Sequence, residues 1–543
     1  DDKVSKQKIL SEVLSRVKAI DLNPLAVLTL RVNYFINISS LIDENTEGIE
    51  IPVYLGDSAA VPESVVIEGI ECINYTIKTL KRDIEVTLPV SALTDINRFS
   101  YIMNSIEFDV KCGDYERVNE KLVNLIPENE RITDVLNKIK LLTDTLIYLQ
   151  ENNWDGIWVR IIKNYLITSC MDRFDIIVGN PPWVDWKNLP ANYRDRIKTT
   201  VCIDNSLFSG ANRTGGINLN ICALISNVVA NKWLKKEGTL AILMPKSLIY
   251  QPSYEGFRKF ILKNNERLYL QEIHDWTESG HPFNPVKEKF LTYVYNRNKI
   301  DYSTGIDVIK YKIKRGYKLE NAAHVKNIKE INTWFKLEKL YAGEAYAGST
   351  TLSYAKDKEE LNDFQLITGE CAYKGREGIE FYPQELFLLN IEKGMTERNN
   401  CIFLKNYQGK GSKYKIPVKI IKLEKEYIHP LIRGREIEKY HWSGYEYCVP
   451  FPYEEGQKIP IPLKELKNKA PSLARYLVTS KSIIESQTDY NDKIINNSDA
   501  EFYALARVGK YTFADYSVAY RDNTKWRASV IERIDTDWKE NVR

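Results

Sequence analysis

The stretch Asp175-Ile-Ile-Val-Gly-Asn-Pro-Pro-Trp183 constrains this chain more than any other. Phe174 to Val178 is a short apolar run rich in β-branched residues, the pattern of a buried central strand. Gly179 breaks that strand, and Pro181 and Pro182 fix φ, so the backbone that follows is rigid. A rigid loop at the carboxyl end of a central α/β strand is where such folds place their ligands. The side-chain oxygen of Asn180 and a carbonyl of the Pro-Pro segment can both accept hydrogen bonds from one exocyclic amine. Two such bonds draw the amine lone pair out of conjugation and aim it at an electrophile, which is catalysis by positioning. Trp183 adds an aromatic face on which a flipped base can stack.

Two strand ends carrying acids precede this loop. Ala19-Ile-Asp-Leu-Asn-Pro-Leu-Ala-Val27 reads as a strand ending at Asp21, followed by a helix that starts at Pro24. Ile51-Pro-Val-Tyr-Leu-Gly-Asp57 is a second short strand with a terminal acid. An acid at the end of a doubly wound strand is placed to take the ribose hydroxyls of a nucleotide-like cofactor. Taken alone, Asp21 reads first as a cap on the next helix. The order strand–acid, helix, strand–acid is that of a cofactor-binding βαβ unit.

With these residues in order, the chain resembles amino-group methyltransferases that use S-adenosylmethionine. The arrangement is similar to the gamma class of N6-adenine DNA methyltransferases, the Taq type and the larger restriction–modification methylases. The resemblance implies a Rossmann-like α/β catalytic domain in which Asp21, with Leu22, holds the cofactor ribose. Asp57, with Ser58, would accept from the cofactor adenine, and Asn180 would face both cofactor and target amine. Pro181, Pro182 and Trp183 complete the catalytic loop, and Phe283, with Phe290 as fallback, would give the second face sandwiching the target adenine. Transfer from the sulfonium would be direct and in line. The family's glycine-rich turn, Asp-Pro-Ala-Cys-Gly-Ser-Gly in its common form, has no counterpart before Asp21. The chain also opens on Asp1 rather than Met. The expectation is therefore a chain that begins inside the catalytic domain, its cofactor site completed by an upstream segment or a separate subunit.

The length of 543 residues allows two or three domains, and 43% hydrophobic with 27% charged residues is the composition of a globular chain. A net charge of +3 leaves nucleic-acid binding to a local basic face. The eight cysteines form no CxxC pair and share no spacing with the five histidines, which argues against zinc and against a disulfide framework. No apolar run approaches the roughly 20 residues that span a bilayer, and the reading is an intracellular, cytoplasmic prokaryotic protein. His274 and His281 have acids nearby but no third ligand, and the proposed chemistry needs no metal.

The catalytic domain is expected over 1–300. It includes a hairpin-like stretch from Val65 to Pro89 and a helical insertion over about 92–170. Ser209 to Gly216 reads as a mobile basic loop near the site, and Lys235 to Gly238 as a turn before a strand from Thr239 to Met244. Phe290 to Tyr295 closes the domain as its terminal strand. A linker over 301–345 then leads to an α+β target-recognition domain, 346–543, that reads double-stranded DNA. Lys410, Lys413 and Lys415 lie among glycines and tyrosines, a composition that suits phosphates and stacking. Arg433 and Arg435 fall in a segment resembling one that recurs in Taq-type recognition domains. The alternatives are a methyltransferase acting on RNA or protein, and a non-catalytic DNA-binding relic or subunit. No acidic-x-Lys cluster points to a nuclease.

Overall fold

The computed structural model describes residues 5–42, 49–79, 81–152, 157–198, 220–280, 288–317, 330–367, 375–392, 399–409, 414, 416–486, 500–521 and 526–532. They fall into two compact units, Asp1–Gly369 and Glu370–Arg543. The class is mixed α/β, as the sequence implies, with one large mixed sheet and helices around it.

Unit 1 opens with α1 (Lys6–Arg16), β1 (Ala19–Asp21), α2 (Pro24–Ile38) and β2 (Val53–Leu55). Asn23 caps α2, its side chain accepting from Leu25 N at 2.9 Å and Ala26 N at 3.4 Å, and Pro24 stands where a missing N–H costs nothing. β1 and β2 pair in parallel as a two-stranded sheet. The outer edge of β2 is closed by side chains. Arg31 donates to Val53 O through Nε (2.9 Å) and Nη2 (2.7 Å), and Asn164 Oδ1 accepts from Leu55 N at 3.2 Å. No described strand pairs with the outer edge of β1. Ala19 N donates to Pro52 O and Asp21 O accepts from Gly56 N, so the backbone groups of Ile20 point away from β2.

The insertion is a three-stranded antiparallel sheet, β3 (Glu63–Ile67), β4 (Ile70–Ile77) and β5 (Ile84–Pro89), followed by α3 (Ile96–Lys111), α4 (Tyr115–Asn124), α5 (Thr133–Glu151) and α6 (Ile157–Ser169). The helical stripes expected there are buried: Leu122, Ile139, Leu142, Leu146 and Leu149 belong to a core that also holds Tyr54 of β2 and Leu240 and Ile242 of the large sheet. One apolar core therefore supports both sheets.

The large sheet contains β6 (Phe174–Gly179), β7 (Leu234–Pro245), β8 (Tyr269–Glu278), β9 (Phe290–Asn296), β10 (Ile306–Ile313), β11 (Phe335–Glu344) and β12 (Leu352–Ala355). Their order is β12-β11-β10-β8-β9-β7-β6, with β6–β7 and β8–β10 parallel and the other pairs antiparallel. Between β6 and β7 run α7 (Ala191–Ile197) and α8 (Ile221–Trp233); the short helices α9 (Glu255–Lys259) and α10 (Ile331–Trp334) and then α11 (Lys358–Leu366) follow.

Three expectations need correction. The catalytic strand β6 is an edge strand, not a buried central one, and Ile176 and Val178 are 69% and 74% exposed because no described strand pairs with its outer side. Lys235 to Gly238 is strand rather than turn, since Lys235 bonds Asp175 and the carbonyls of Lys235 and Lys236 accept from Arg297 Nη1. Phe290 to Tyr295 does not end the sheet, because β10, β11 and β12 extend it. Residues 301–345, read from sequence as a linker, thus hold two of its strands, and the units divide at Gly369.

Unit 2 has its own core, centred on Leu389, Leu404, Leu423, Ile428, Leu466 and Leu473. After α12 (Gln384–Phe387), an antiparallel sheet in the order β15-β14-β13-β17-β16 is built from β13 (Leu389–Ile391), β14 (Cys401–Asn406), β15 (Ile420–Glu424), β16 (Ile428–Leu431) and β17 (Tyr447–Pro450). Helices α13 (Leu463–Lys469), α14 (Pro471–Thr479) and α15 (Lys481–Glu485) and the hairpin β18 (Tyr516–Tyr520) with β19 (Ala528–Glu532) complete it.

Candidate functional site

β6 delivers Gly179 opposite Ile242 of β7, and the chain then leaves the sheet as the loop Asn180–Pro190. The loop is pinned along its length. Trp183 Nε1 donates to Leu243 O at 3.2 Å, Ile221 N donates to Val184 O at 3.0 Å, and Asp185 bridges Asn220. Pro181 is buried while Asn180 and Pro182 are exposed. Among the described residues none hydrogen-bonds the Asn180 side chain, so its carboxamide oxygen is available to an incoming donor.

Trp183 is half-buried, and its ring lies 5.6 Å from that of Phe290, tilted by 38°. A base held between two rings needs them about 7 Å apart, twice a van der Waals contact. Phe290, itself buried at the start of β9, therefore backs Trp183 rather than forming a second face across a base. Phe283 and His281 lie outside the described residues, as does the loop from Ser209 to Gly216.

The two acids expected on the cofactor come together. β1 and β2 are parallel neighbours with Asp21 opposite Leu55, so Asp21 and Asp57 stand at the same carboxyl end. Asp21 is exposed, and its Oδ1 accepts from Asn23 N at 2.7 Å; Asn23, not Asp21, caps the following helix. Leu22 is exposed and Ser58 half-buried. Asp57 is only 8% exposed. Its Oδ1 accepts from Ala59 N at 2.9 Å, and the Tyr193 hydroxyl donates across both carboxylate oxygens at 3.1 and 3.0 Å. Tyr193 comes from α7, the helix that follows the Asn180 loop, so the acid of one sheet and the loop of the other are physically linked. No local signal at Tyr193 reveals this, since its partner lies 136 residues away.

A buried ion pair also escaped the sequence reading. Lys246, just past β7, donates to Asp275 Oδ2 at 3.0 Å, and its ammonium lies 4.4 Å from the centre of the Tyr354 ring. Burial acts to raise the Asp275 carboxyl, but the hydrogen bonds from Thr277 and the Lys246 charge outweigh it and hold it below its ordinary value. The register pairs Pro245 with Phe290 and Asp275 with Leu291, which sets this pair beside the ring that backs Trp183.

In unit 2, Arg433 and Arg435 both lie over the Tyr447 ring, at 5.6 and 5.4 Å. Arg435 is paired with Glu436 and Glu446, so much of its charge is already matched, whereas Arg433 is half-buried. Lys410, Lys413 and Lys415 lie outside the described residues. Among the described residues no group of three or more His, Cys, Asp or Glu side chains is placed to hold a metal ion. None of the described helices is long and apolar enough to cross a membrane.

The class these features define is an α/β sheet with an Asn-Pro-Pro-Trp loop at one strand end and two acids at the ends of a parallel pair. The sequence model of the Eco57I restriction-modification methylase family matches residues 16–283, which carry all of them. No curated protein matches the chain. Among solved structures, the methyltransferase subunit of a type I restriction-modification system from Streptococcus thermophilus is similar at 14% identity and a TM-score of 0.21, over 43% of this chain and 46% of that one. A nuclease-deletion mutant of the type ISP restriction-modification enzyme LlaGI, in complex with a DNA substrate mimic, gives 13% identity and 0.21 over 41% and 26%. The type IIG restriction endonuclease BpuSI gives 13% and 0.24 over 65% and 43%. The match thus spans less than half the length of each of these chains.

Proposed function

We propose that this chain carries the methyl-transfer centre of a site-specific DNA adenine N6-methyltransferase of a restriction–modification or phage-defence system. The observation that carries the proposal is Asn180, exposed and without a hydrogen-bond partner among the described residues, on a loop that Trp183 pins to β7 and that Val184 and Asp185 pin to the start of α8. The match of residues 16–283 to a restriction-modification methylase family supports the same reading. A target adenine, flipped from the duplex at a cost of a few kcal/mol, would stack on the Trp183 ring. Asn180 Oδ1 and the Pro181 carbonyl would accept from its amine and hold the lone pair on the line of attack. The proton leaves to solvent.

The residues present fit S-adenosylmethionine. Asp21 offers an exposed carboxylate to a ribose diol, and Asp57 a buried acceptor to an exocyclic amine. When bound, this cofactor supplies the electrophilic methyl group. The edges of β1 and β6 that no described strand pairs, with Leu25 and Leu28 of α2 exposed beside β1, fit one further parallel strand that would complete the cofactor side. Unit 2 is the proposed reader of double-stranded DNA, with Arg433 the better-placed cation of the described pair.

The test is transfer of labelled methyl from S-adenosylmethionine to unmethylated DNA, with nucleoside analysis of the product. N6-methyladenine is expected, and Asn180→Ala should abolish it while leaving DNA affinity nearly intact. Equal loss of transfer and of DNA binding would sink the role given to Asn180. Salt-sensitive DNA binding without measurable cofactor affinity would instead favour a non-catalytic DNA-binding subunit.

A further inference from the structure

We infer that Tyr193 is a placeholder for the ligand amine on Asp57, displaced when an amine-bearing nucleoside enters. This rests on the reading of Asp57 as a cofactor contact. Two observations carry it. Asp57 is 8% exposed, and a buried carboxylate must be matched by donors. The donors it has are Ala59 N, fixed by the backbone, and the Tyr193 hydroxyl, which spans both oxygens at 3.1 and 3.0 Å. An exocyclic amine approaching this carboxylate therefore meets the phenol first, and reaches the acid only if the phenol swings away.

The phenol's attachment gives this exchange a consequence. Tyr193 sits on α7, a single short helix anchored by the buried Ile197 and joined directly to the loop that bears Asn180 and Trp183. Trp186, in the same loop, packs half-buried on the core. Moving Tyr193 moves the helix that closes this loop, so occupancy at Asp57 is reported to the residues that hold the target amine. The placeholder also sorts ligands. A hydroxyl can be replaced on a carboxylate by an amine, which donates, but not by a ring carbonyl, which accepts and faces a negative charge.

The test is calorimetric titration of the full chain and of Tyr193→Phe with S-adenosylhomocysteine and with its 6-oxo analogue, S-inosylhomocysteine. The phenylalanine keeps the ring and removes the competing donor. It should bind S-adenosylhomocysteine roughly tenfold more tightly, the worth of one hydrogen bond to a charged group, with no gain for the 6-oxo compound. Its melting midpoint should fall without ligand, and the same concentration of S-adenosylhomocysteine should raise it by more than it raises that of the native chain, whereas general loosening of α7 would weaken binding and shrink the rise. Unchanged or weaker affinity, an equal gain for the 6-oxo compound, or no binding by either protein overturns the inference. As a check free of substitution, the tryptophan emission of the native chain should change on saturation with S-adenosylhomocysteine as the loop responds; a flat titration despite calorimetric binding overturns the link to the loop. Binding is read without methyl transfer. A chain that behaves this way yet methylates nothing would overturn the proposed reaction and leave Tyr193 in its role.

Discussion

At Gly238 the backbone of β7 runs so close to β6 that a Cβ would stand 3.0 Å from the carbonyl oxygen of Phe174 and 3.1 Å from that of Asp175. These are strand carbonyls, which cannot turn aside as the end of a flexible side chain could. Gly238→Ala should cost about 1–3 kcal/mol by forcing the two strands apart, seen as a lower urea midpoint at unchanged slope. A midpoint equal to that of the native chain would show that β6 is free to shift. The places of single residues were legible in the sequence where they are set locally. Asn180 announces itself through two prolines and a preceding apolar run, and Asp21 and Asp57 through their places at strand ends. Tyr193, Phe290 and the Lys246–Asp275 pair were not, because each acts through a contact made only when distant elements meet.

At the scale of elements, unit 2 shows how a strand can start a helix. Glu424, the last residue of β15, accepts from Ser472 N at 2.8 Å and Leu473 N at 2.9 Å, so its carboxylate closes the amino end of α14 in place of a local cap. Burial pushes the Glu424 carboxyl up, but these backbone donors outweigh it and hold the group below its ordinary value. The sign follows. Stability from this contact is complete above the unfolded carboxyl value of about 4.3 and is lost as pH falls through the lower folded value. Glu424→Gln should cost about 1 kcal/mol at neutral pH, and the difference from the native chain should shrink in acid; a pH-independent difference would contradict the helix contact. The helices of the insertion and the order of the first strands were readable because their apolar periods are regular. The strand at Lys235–Gly238 was misread because its stability comes from Asp175 and Arg297 rather than from its own composition.

For the whole molecule, the two cores were foreseeable but their boundary was not. The strands β10 and β11 alternate lysines and tyrosines with apolar residues, a composition that looks like the start of a new domain. In space they pair along eight residues and extend the first sheet, with Val308 and Ala342 buried in the first core. The open side of that same unit has a consequence for how the chain behaves in a test tube. β6 presents Ile176 and Val178 beside a backbone edge that no described strand pairs, and α2 presents Leu25, Leu28, Val32 and Ile36 to water. Such an edge is a template for another edge, and such a patch is sticky. Dilute preparations should sediment as a mixture whose average mass rises with concentration, and Ile176→Lys, which puts a charge on the edge, should bring it back toward a single species. If the native chain already sediments as one species at every concentration, the edge is not adhesive. Otherwise, colloidal behaviour and not catalytic power will decide which preparations of this chain can be assayed at all.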